Sequence, residues 1–493
     1  MSRLTKISTL PDAVQLPAYS PENHGAGIVH LGLGAFHKAH QAVYTNDLLQ
    51  AGHDPAWGIR GAGVRQPDTK MRDLLGAQDW LSSVVENDAT GMTASVTGSM
   101  IDFLAVEAGH KPIINAISDP ETRIVSLTVT EGGYFVDAAT ESFDPGHPDI
   151  QADIQNPQNP LTVFGAIVAG LAARRAESGT PVTVMSCDNL PGNGFVAQAA
   201  VLGVAQGQDA GLADWIKDNV TFPNGMVDRI TPATSDRERA LLRANFDLTD
   251  ASPVFCEPFR QWVLEDNFAN GRPEFEAVGV TMTDSVHDFE AMKIRVLNGG
   301  HAIIAYPAGL AGIEYVHDAM NVPEIEAFLT KVIRDDVAPN VKPVGGQTPD
   351  EYLTQTIKRF KNPGVADTIS RLCLDGSNRQ PKFIIPSLRA RLADGHSPYG
   401  MALCCAFWCQ YCAGTDDQGQ TIAPNDPNWD ALTLTAQKAA DDPLVWLEQD
   451  DIYGDLRHSE VFCRLFTAAL NSVKKIGALA TIRVYLTQSD LGN

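Results

Sequence analysis

Four short apolar runs in the first 190 residues restrict this chain more than any other feature. They cover residues 27–31, 57–64, 124–129 and 182–185. Each has strand length, is rich in β-branched residues and is bounded by turn residues. Helical patterns lie between several of them, at 40–50 (stopped by Gly52) and at 161–175, where Val163, Ile167 and Leu171 recur at helical spacing. Parallel neighbours in a sheet need a crossover, usually a helix, so strand–helix alternation of this kind implies a largely parallel α/β sheet.

After about residue 284 the texture changes. Helical patterns at 285–310, 322–334, 349–360, 401–411 and 458–476 dominate, and strand-like runs become scarce. Ser285 and Asp288 have the spacing of a capping box at the start of the first of these. A chain of 493 residues exceeds one ordinary core. The expectation is an α/β domain over 1–284 and a mostly α-helical domain over 285–493. No internal repeat or low-complexity segment interrupts them, and 414–427 reads as a long surface loop.

The first apolar run leads into Gly32-Leu33-Gly34-Ala35-Phe36-His37 and then into a helical pattern. A glycine turn between a strand and a helix lets the backbone approach a pyrophosphate, and the helix start supplies N–H donors. The first domain is therefore expected to be a Rossmann-like dinucleotide-binding domain. Its candidate coenzyme contacts are Gly32, Gly34 and Phe36, with Arg65 and Asp68 after the second strand. The third glycine of the pattern is replaced by His37. Asp68 suits ribose hydroxyls and Arg65 would suit a 2′-phosphate. NAD is the expected cofactor. His30, His37 and His40 cluster in sequence without further ligands, which favours packing or hydrogen bonding over a metal.

A polar group stands out in the 285–310 pattern: Lys293, Asn298 and His301, with Gly299 and Gly300, among Met292, Ile294, Val296, Leu297, Ile303 and Ile304. On an α-helix turning about 100° per residue, His301 lies roughly 80° from Lys293 and Asn298 roughly 140° from it. An ammonium group among apolar neighbours loses solvation and can exchange protons at working pH. An asparagine can donate to a developing alkoxide, and a histidine can orient a hydroxyl. The same residues could equally be a snorkelling lysine, a kink and a packed core histidine. Three other segments carry polar groups at strand ends or between apolar residues: Glu131 with Gly132 and Gly133, Asp188 with Asn189, and Asp228 with Arg229.

Charge and cysteine usage narrow the partners. There are 60 acids against 37 Lys+Arg, a formal charge of -23, so nucleic acid and anionic membranes are disfavoured. The first eleven residues lack a signal-peptide core and no apolar run reaches spanning length, so a cytoplasmic location is expected. Eight cysteines are too sparse for a disulfide scaffold. Cys404, Cys405, Cys409 and Cys412 could hold zinc, but Cys405, Cys409 and Cys412 follow the i, i+4, i+7 pattern of a helix face.

Six segments, at 30–41, 128–134, 187–191, 226–232, 293–301 and 371–381, occur in the order of the mannitol dehydrogenase family, which the chain resembles over nearly its whole length. That family comprises long-chain polyol dehydrogenases and hexuronate reductases. The resemblance implies a zinc-independent, NAD-dependent enzyme, with no bound metal, that interconverts a polyol and a 2-ketose, D-mannitol and D-fructose foremost. It implies Lys293 as general acid–base, Asn189 and Asn298 as an oxyanion hole, and His301 as a substrate-orienting group. Asp228, Arg371 and Arg379 would contact substrate, and Glu131 would pass a proton to solvent. The resemblance leans towards a monomer. The family has a lysine where this chain has Arg379, which leaves the sugar open. A hexuronate reductase would use Arg371 and Arg379 as a carboxylate clamp. D-arabinitol and D-sorbitol are further alternatives. No tyrosine has a lysine four residues later, so the acid–base pair of short-chain dehydrogenases is absent. A non-catalytic nucleotide sensor would have no use for the complete set of Lys293, both asparagines and His301.

Overall fold

A computed structural model describes residues 2–5, 11–137, 140 and 142–487. Of the opening segment read above for a signal peptide, residues 1 and 6–10 lie outside the described residues. The chain divides into two compact units, Met1–His287 and Asp288–Asn493.

The first unit is built on a six-stranded sheet. We label its strands β1 (Ile28–Leu31), β2 (Ile59–Ala62), β3 (Met100–Phe103), β4 (Ile124–Leu127), β5 (Val182–Ser186) and β6 (Val220–Thr221). Their spatial order is β6-β5-β4-β1-β2-β3, and every pairing is parallel. This is the doubly wound dinucleotide-binding order, with its topological switch between β1 and β4. Four of these strands are the apolar runs of the sequence. β1, β4 and β5 are buried at every residue, as expected of strands covered on both faces. The register pairs Leu31 with both Leu127 and Ala62, so the chain leaves β1 beside the end of β4.

Crossover helices cover this sheet. Thr162 caps the helix Val163–Glu177 by accepting from the Gly165 N–H at 3.0 Å. That helix packs on Lys111–Ser118, and a Cβ at Gly170 would lie 2.6 Å from Ile117, so glycine permits the close approach. Of the four smaller sheets among the described residues of this unit, two have more than two strands. One contains the hairpin Ser82–Asp88 and Gly91–Thr97. The other pairs Gly225–Asp228 antiparallel with Gln261–Leu264.

The second unit is helical. No strand occurs among its described residues, only isolated bridges. The helix Tyr399–Cys412 is buried around almost its whole circumference and packs against Glu460–Ile476 and Gly299–Leu310. Its cysteines 404, 405, 409 and 412 sit in that core, where burial pushes every thiol up. Pro349–Phe360 begins with Thr348 and Glu351 in a capping box, Pro349 taking the first turn where no N–H is needed. Among the described residues, no helix is long and apolar enough to cross a membrane.

One buried carboxylate makes this unit pH-sensitive. Asp336 is 2% exposed and pairs with Arg391 at 3.3 Å. A Cβ at Gly400 would lie 2.5 Å from its Oδ2. Burial pushes the Asp336 carboxyl from 3.8 to about 7, against the pull of Arg391. A raised carboxyl holds its proton more tightly in the folded state. Its stabilising contribution is therefore complete below about pH 4 and is lost as pH rises through about 7. Asp336→Asn removes that slope. Between pH 5 and pH 8 the variant is expected to gain on the native protein in unfolding free energy by up to about 3 kcal/mol. An identical difference at both values would mean that Asp336 stays ionised throughout.

Candidate active site

In the α/β unit the glycine turn follows β1 at the switch point. Gly32 has φ +89°, and a Cβ there would lie 2.3 Å from the Thr128 carbonyl oxygen, just past β4. Gly34 differs: its φ is -123°, and a Cβ would meet nothing nearer than the Gly32 carbonyl oxygen at 3.9 Å. One glycine is demanded by the fold, and the other leaves an open space beside the turn. That space at the carboxyl ends of β1 and β4 fits a dinucleotide pyrophosphate.

The helix after the turn, Ala35–Ala39, presents Phe36 stacked on His40 at 4.9 Å. His37, in the place of the third glycine, stacks on His30 at 3.5 Å. His30 bonds Ser126 Oγ and Thr128 Oγ1, both at 2.8 Å, and His40 bonds the Gln261 carbonyl oxygen at 2.9 Å. Burial is the main cause that lowers all three rings, His37 and His40 to about 3. They are neutral packing groups that support the turn.

After β2, Asp68 Oδ2 accepts from the Val64 and Arg65 N–H groups at 2.9 Å each. Its other oxygen faces Arg65 at 3.7 Å, and the Arg65 side chain is 79% exposed. Asp68 thus shapes the loop with one oxygen and turns the other to the Arg65 guanidinium.

Glu131 is exposed at the start of a short turn, Glu131–Tyr134, between two residues with positive φ, Thr130 and Phe135. Asp188 holds this turn. It accepts from the Val129 and Thr130 N–H groups at 2.9 Å and from Tyr134 Oη at 2.7 Å. Burial raises its carboxyl while those donors oppose the rise. Asn189 follows Asp188 and is exposed. Asn193, fully buried, donates to the carbonyls of Ser186, Asp188 and Gly225 and accepts from the Gly225 N–H. It therefore ties the Asn189 segment to the strand ending in Asp228.

Asp228 is 6% exposed and opposite Gln261 in the antiparallel pair. Arg229 beside it has a fully buried side chain that bonds the Glu257 and Ala39 carbonyls and the Glu86 carboxylate. Three buried groups, Asp188, Asn193 and Arg229, thus position the candidates of this unit. The sequence pattern flagged the segments holding Asp188 and Arg229, but gave neither this role. Asn193 passes in sequence for an ordinary helix start.

In the helical unit, Lys293–Asn298 is a π-helical segment between Val286–Met292 and Gly299–Leu310. The Gly299 N–H bonds the Ile294 carbonyl, five residues back. This corrects the angles expected of a continuous α-helix. A π turn advances each residue by about 80° rather than about 100°, which brings Asn298 within roughly 50° of Lys293 and His301 within roughly 10° of it. On such an idealised turn the three positions fall towards one face. Lys293 is 6% exposed. The His301 ring stacks on Phe360 at 4.1 Å, and Phe360 also packs at Gly300.

Arg371 and Arg379 lie on Ile369–Leu372 and Gly376–Phe383, both packed against Gly299–Leu310. The Arg371 Nε donates to Asp367 Oδ1 at 2.5 Å and its Nη2 to Asp367 Oδ2. Arg379 Nη1 lies 3.4 and 3.3 Å from the carbonyl oxygens of Arg371 and Leu372. Asp367 carried no signal in the sequence. Among the described residues, no three His, Cys, Asp or Glu side chains are grouped to hold a metal.

Comparison with known proteins places this geometry. Residues 26–277 match the Mannitol dehydrogenase Rossmann domain, and residues 285–474 match the Mannitol dehydrogenase C-terminal domain. Mannitol 2-dehydrogenase of Cereibacter sphaeroides is 55% identical over 474 residues, covering 96% of this chain and 99% of that protein. The structure of Pseudomonas fluorescens mannitol 2-dehydrogenase in ternary complex with NAD and D-mannitol is 41% identical, with a TM-score of 0.87. The match covers 99% of this chain and 100% of that one. A substrate-free D-sorbitol dehydrogenase is 36% identical with a TM-score of 0.90, covering 98% and 100%. With both domains matched in order across nearly its whole length, the chain belongs to the mannitol dehydrogenase family.

Proposed function

We propose that this chain is an NAD-dependent polyol dehydrogenase that interconverts D-mannitol and D-fructose without a metal. The observation that carries the reading is the π-helical segment Lys293–Asn298 next to His301, whose wider turn supports placing the three residues towards one face. The substrate follows from the relatives: one is called mannitol 2-dehydrogenase at 55% identity, and another was solved with NAD and D-mannitol.

Gly32 and Gly34 with Phe36 hold the coenzyme at the switch point, and Asp68 takes the adenosine ribose. When bound there, NAD would supply the hydride acceptor for C2 of the polyol, and NADH the hydride donor for the ketose carbonyl. Lys293 removes the C2 hydroxyl proton in oxidation and supplies it in reduction. Asn189 and Asn298 donate to the reacting oxygen, whose negative charge is greatest in the transition state, so they favour that state over the neutral ketone. His301, with its ring fixed by Phe360, orients the adjacent hydroxyl. Asp228 and Arg371 bind further hydroxyls, and Glu131 exchanges the proton of Lys293 with solvent. Charge stabilisation by an ammonium and two amides replaces a metal Lewis acid in this scheme.

The test is NADH oxidation by EDTA-treated protein with D-fructose, and NAD reduction with D-mannitol and D-sorbitol. D-Fructose is expected to be reduced at an undiminished rate after EDTA, and D-mannitol to be oxidised faster than D-sorbitol. Loss of activity with EDTA, restored by zinc, would overturn the metal-free scheme. Faster oxidation of D-sorbitol would move the assignment to the activity named for the 36% identical relative.

A further inference from the structure

We propose that Asp367 is a specificity-determining residue that reserves this site for uncharged sugars by occupying and neutralising Arg371. The proposal rests on the reading above that Arg371 faces substrate. Arg371 is half exposed, whereas Asp367 is only 10% exposed, so the carboxylate sits on the protein side of the pair. The pair is bidentate, Nε to Oδ1 and Nη2 to Oδ2, the fork geometry that an incoming uronate would otherwise claim. The local backbone is committed to this arrangement. Ala366, just before Asp367, has φ +49°, a left-handed conformation that costs free energy in a non-glycine residue. Asp367 Oδ1 also accepts from the Thr368 N–H at 2.9 Å, and Thr368 Oγ1 caps the helix that carries Arg371.

The second cation is turned towards the backbone and keeps its charge. Arg379 Nη1 points at the carbonyl oxygens of Arg371 and Leu372, at the negative end of the short helix Ile369–Leu372. Of the two arginines, Arg371 is the one whose charge is met by a carboxylate. The bond to Asp367 uses two of the five guanidinium N–H donors, and those that remain, on Nη1 and Nη2, suit hydroxyls. A carboxylate arriving at those donors meets the charge of Asp367 across the same guanidinium. Such repulsion between partly buried charges is worth about one to two orders of magnitude in affinity.

Asp367→Asn tests this, because it keeps the shape, the Thr368 N–H acceptor and one acceptor for Arg371 while removing the charge. Dissociation constants of D-mannitol and D-mannonate would be measured by calorimetry in the presence of NAD, for the native protein and the variant. D-Mannonate is expected to bind at least tenfold tighter to Asp367→Asn, with D-mannitol changed by less than about threefold. The double variant Asp367→Asn, Arg371→Met should lose the gain. Equal changes for both ligands, or a gain that survives in the double variant, would reject the role of Asp367 and leave the proposed function standing. A native protein that binds NAD but no D-mannitol would reject both. Asp367→Ser provides the same comparison if the asparagine variant does not fold.

Discussion

Lys293→Ala lowers turnover by a factor of about 10²–10⁴ while NADH affinity stays within about threefold, since the loss is that of a positioned acid–base group. Lys293 is buried at the first position of the π segment, among apolar neighbours, and alanine there leaves the helix intact. The residues proposed to hold the coenzyme belong to the other unit and are expected to keep their structure. Calorimetric NADH binding separates the two effects, and single-turnover reduction of D-fructose locates the loss in the chemical step. A structural role for Lys293 would respond differently to added amine. If the ammonium acts as an acid–base catalyst, methylamine should restore part of the activity to the alanine variant and none to the native protein. Turnover within threefold of native would remove Lys293 from the mechanism.

Gly32→Ala and Gly34→Ala are expected to fail for opposite reasons. At Gly32 the added methyl would meet the Thr128 carbonyl oxygen at 2.3 Å in a backbone conformation that L-residues avoid. Strain and displacement of the β1–β4 junction should cost about 3 kcal/mol or more of stability, visible in urea unfolding. At Gly34 the backbone is ordinary and the methyl enters open space. That variant should unfold like the native protein yet bind NADH at least tenfold more weakly, because the methyl fills the space proposed for the pyrophosphate. Native NADH affinity in Gly34→Ala would mean that this turn does not hold the dinucleotide.

Much of the first unit was legible in sequence. Four of the six parallel strands announced themselves as apolar runs, because strands buried on both faces are mostly apolar and admit polar residues such as His30 and Ser126 only when these are hydrogen-bonded. β3 was missed, since Met100-Ile-Asp-Phe carries Asp102 and is short, and β6 was missed because it contributes only two residues. The helical pattern at 349–360 coincides with the helix Pro349–Phe360, whose start Thr348 and Glu351 cap by local chemistry. His37 looked like a defect in the glycine pattern. Packing explains it, because a ring stacked on His30 fills the place under the turn.

The sequence by itself determined the apolar strands, the glycine turn, the helical second half and the identity of the polar residues in 293–301. These depend on composition and on near neighbours in the chain, which local physics reads without knowing the fold. Tertiary structure decided which groups act together. Whether 293–298 closes i→i+4 or i→i+5 bonds is a matter of small energy differences that packing settles, and that choice moves Asn298 by roughly 90° relative to Lys293. Asp188 meets Val129, Thr130 and Tyr134 across more than fifty residues of chain, and Asn193 reaches Gly225 across |i−j| = 32. Such bonds leave no periodic trace, because they are made only after the strands that carry them have been brought side by side.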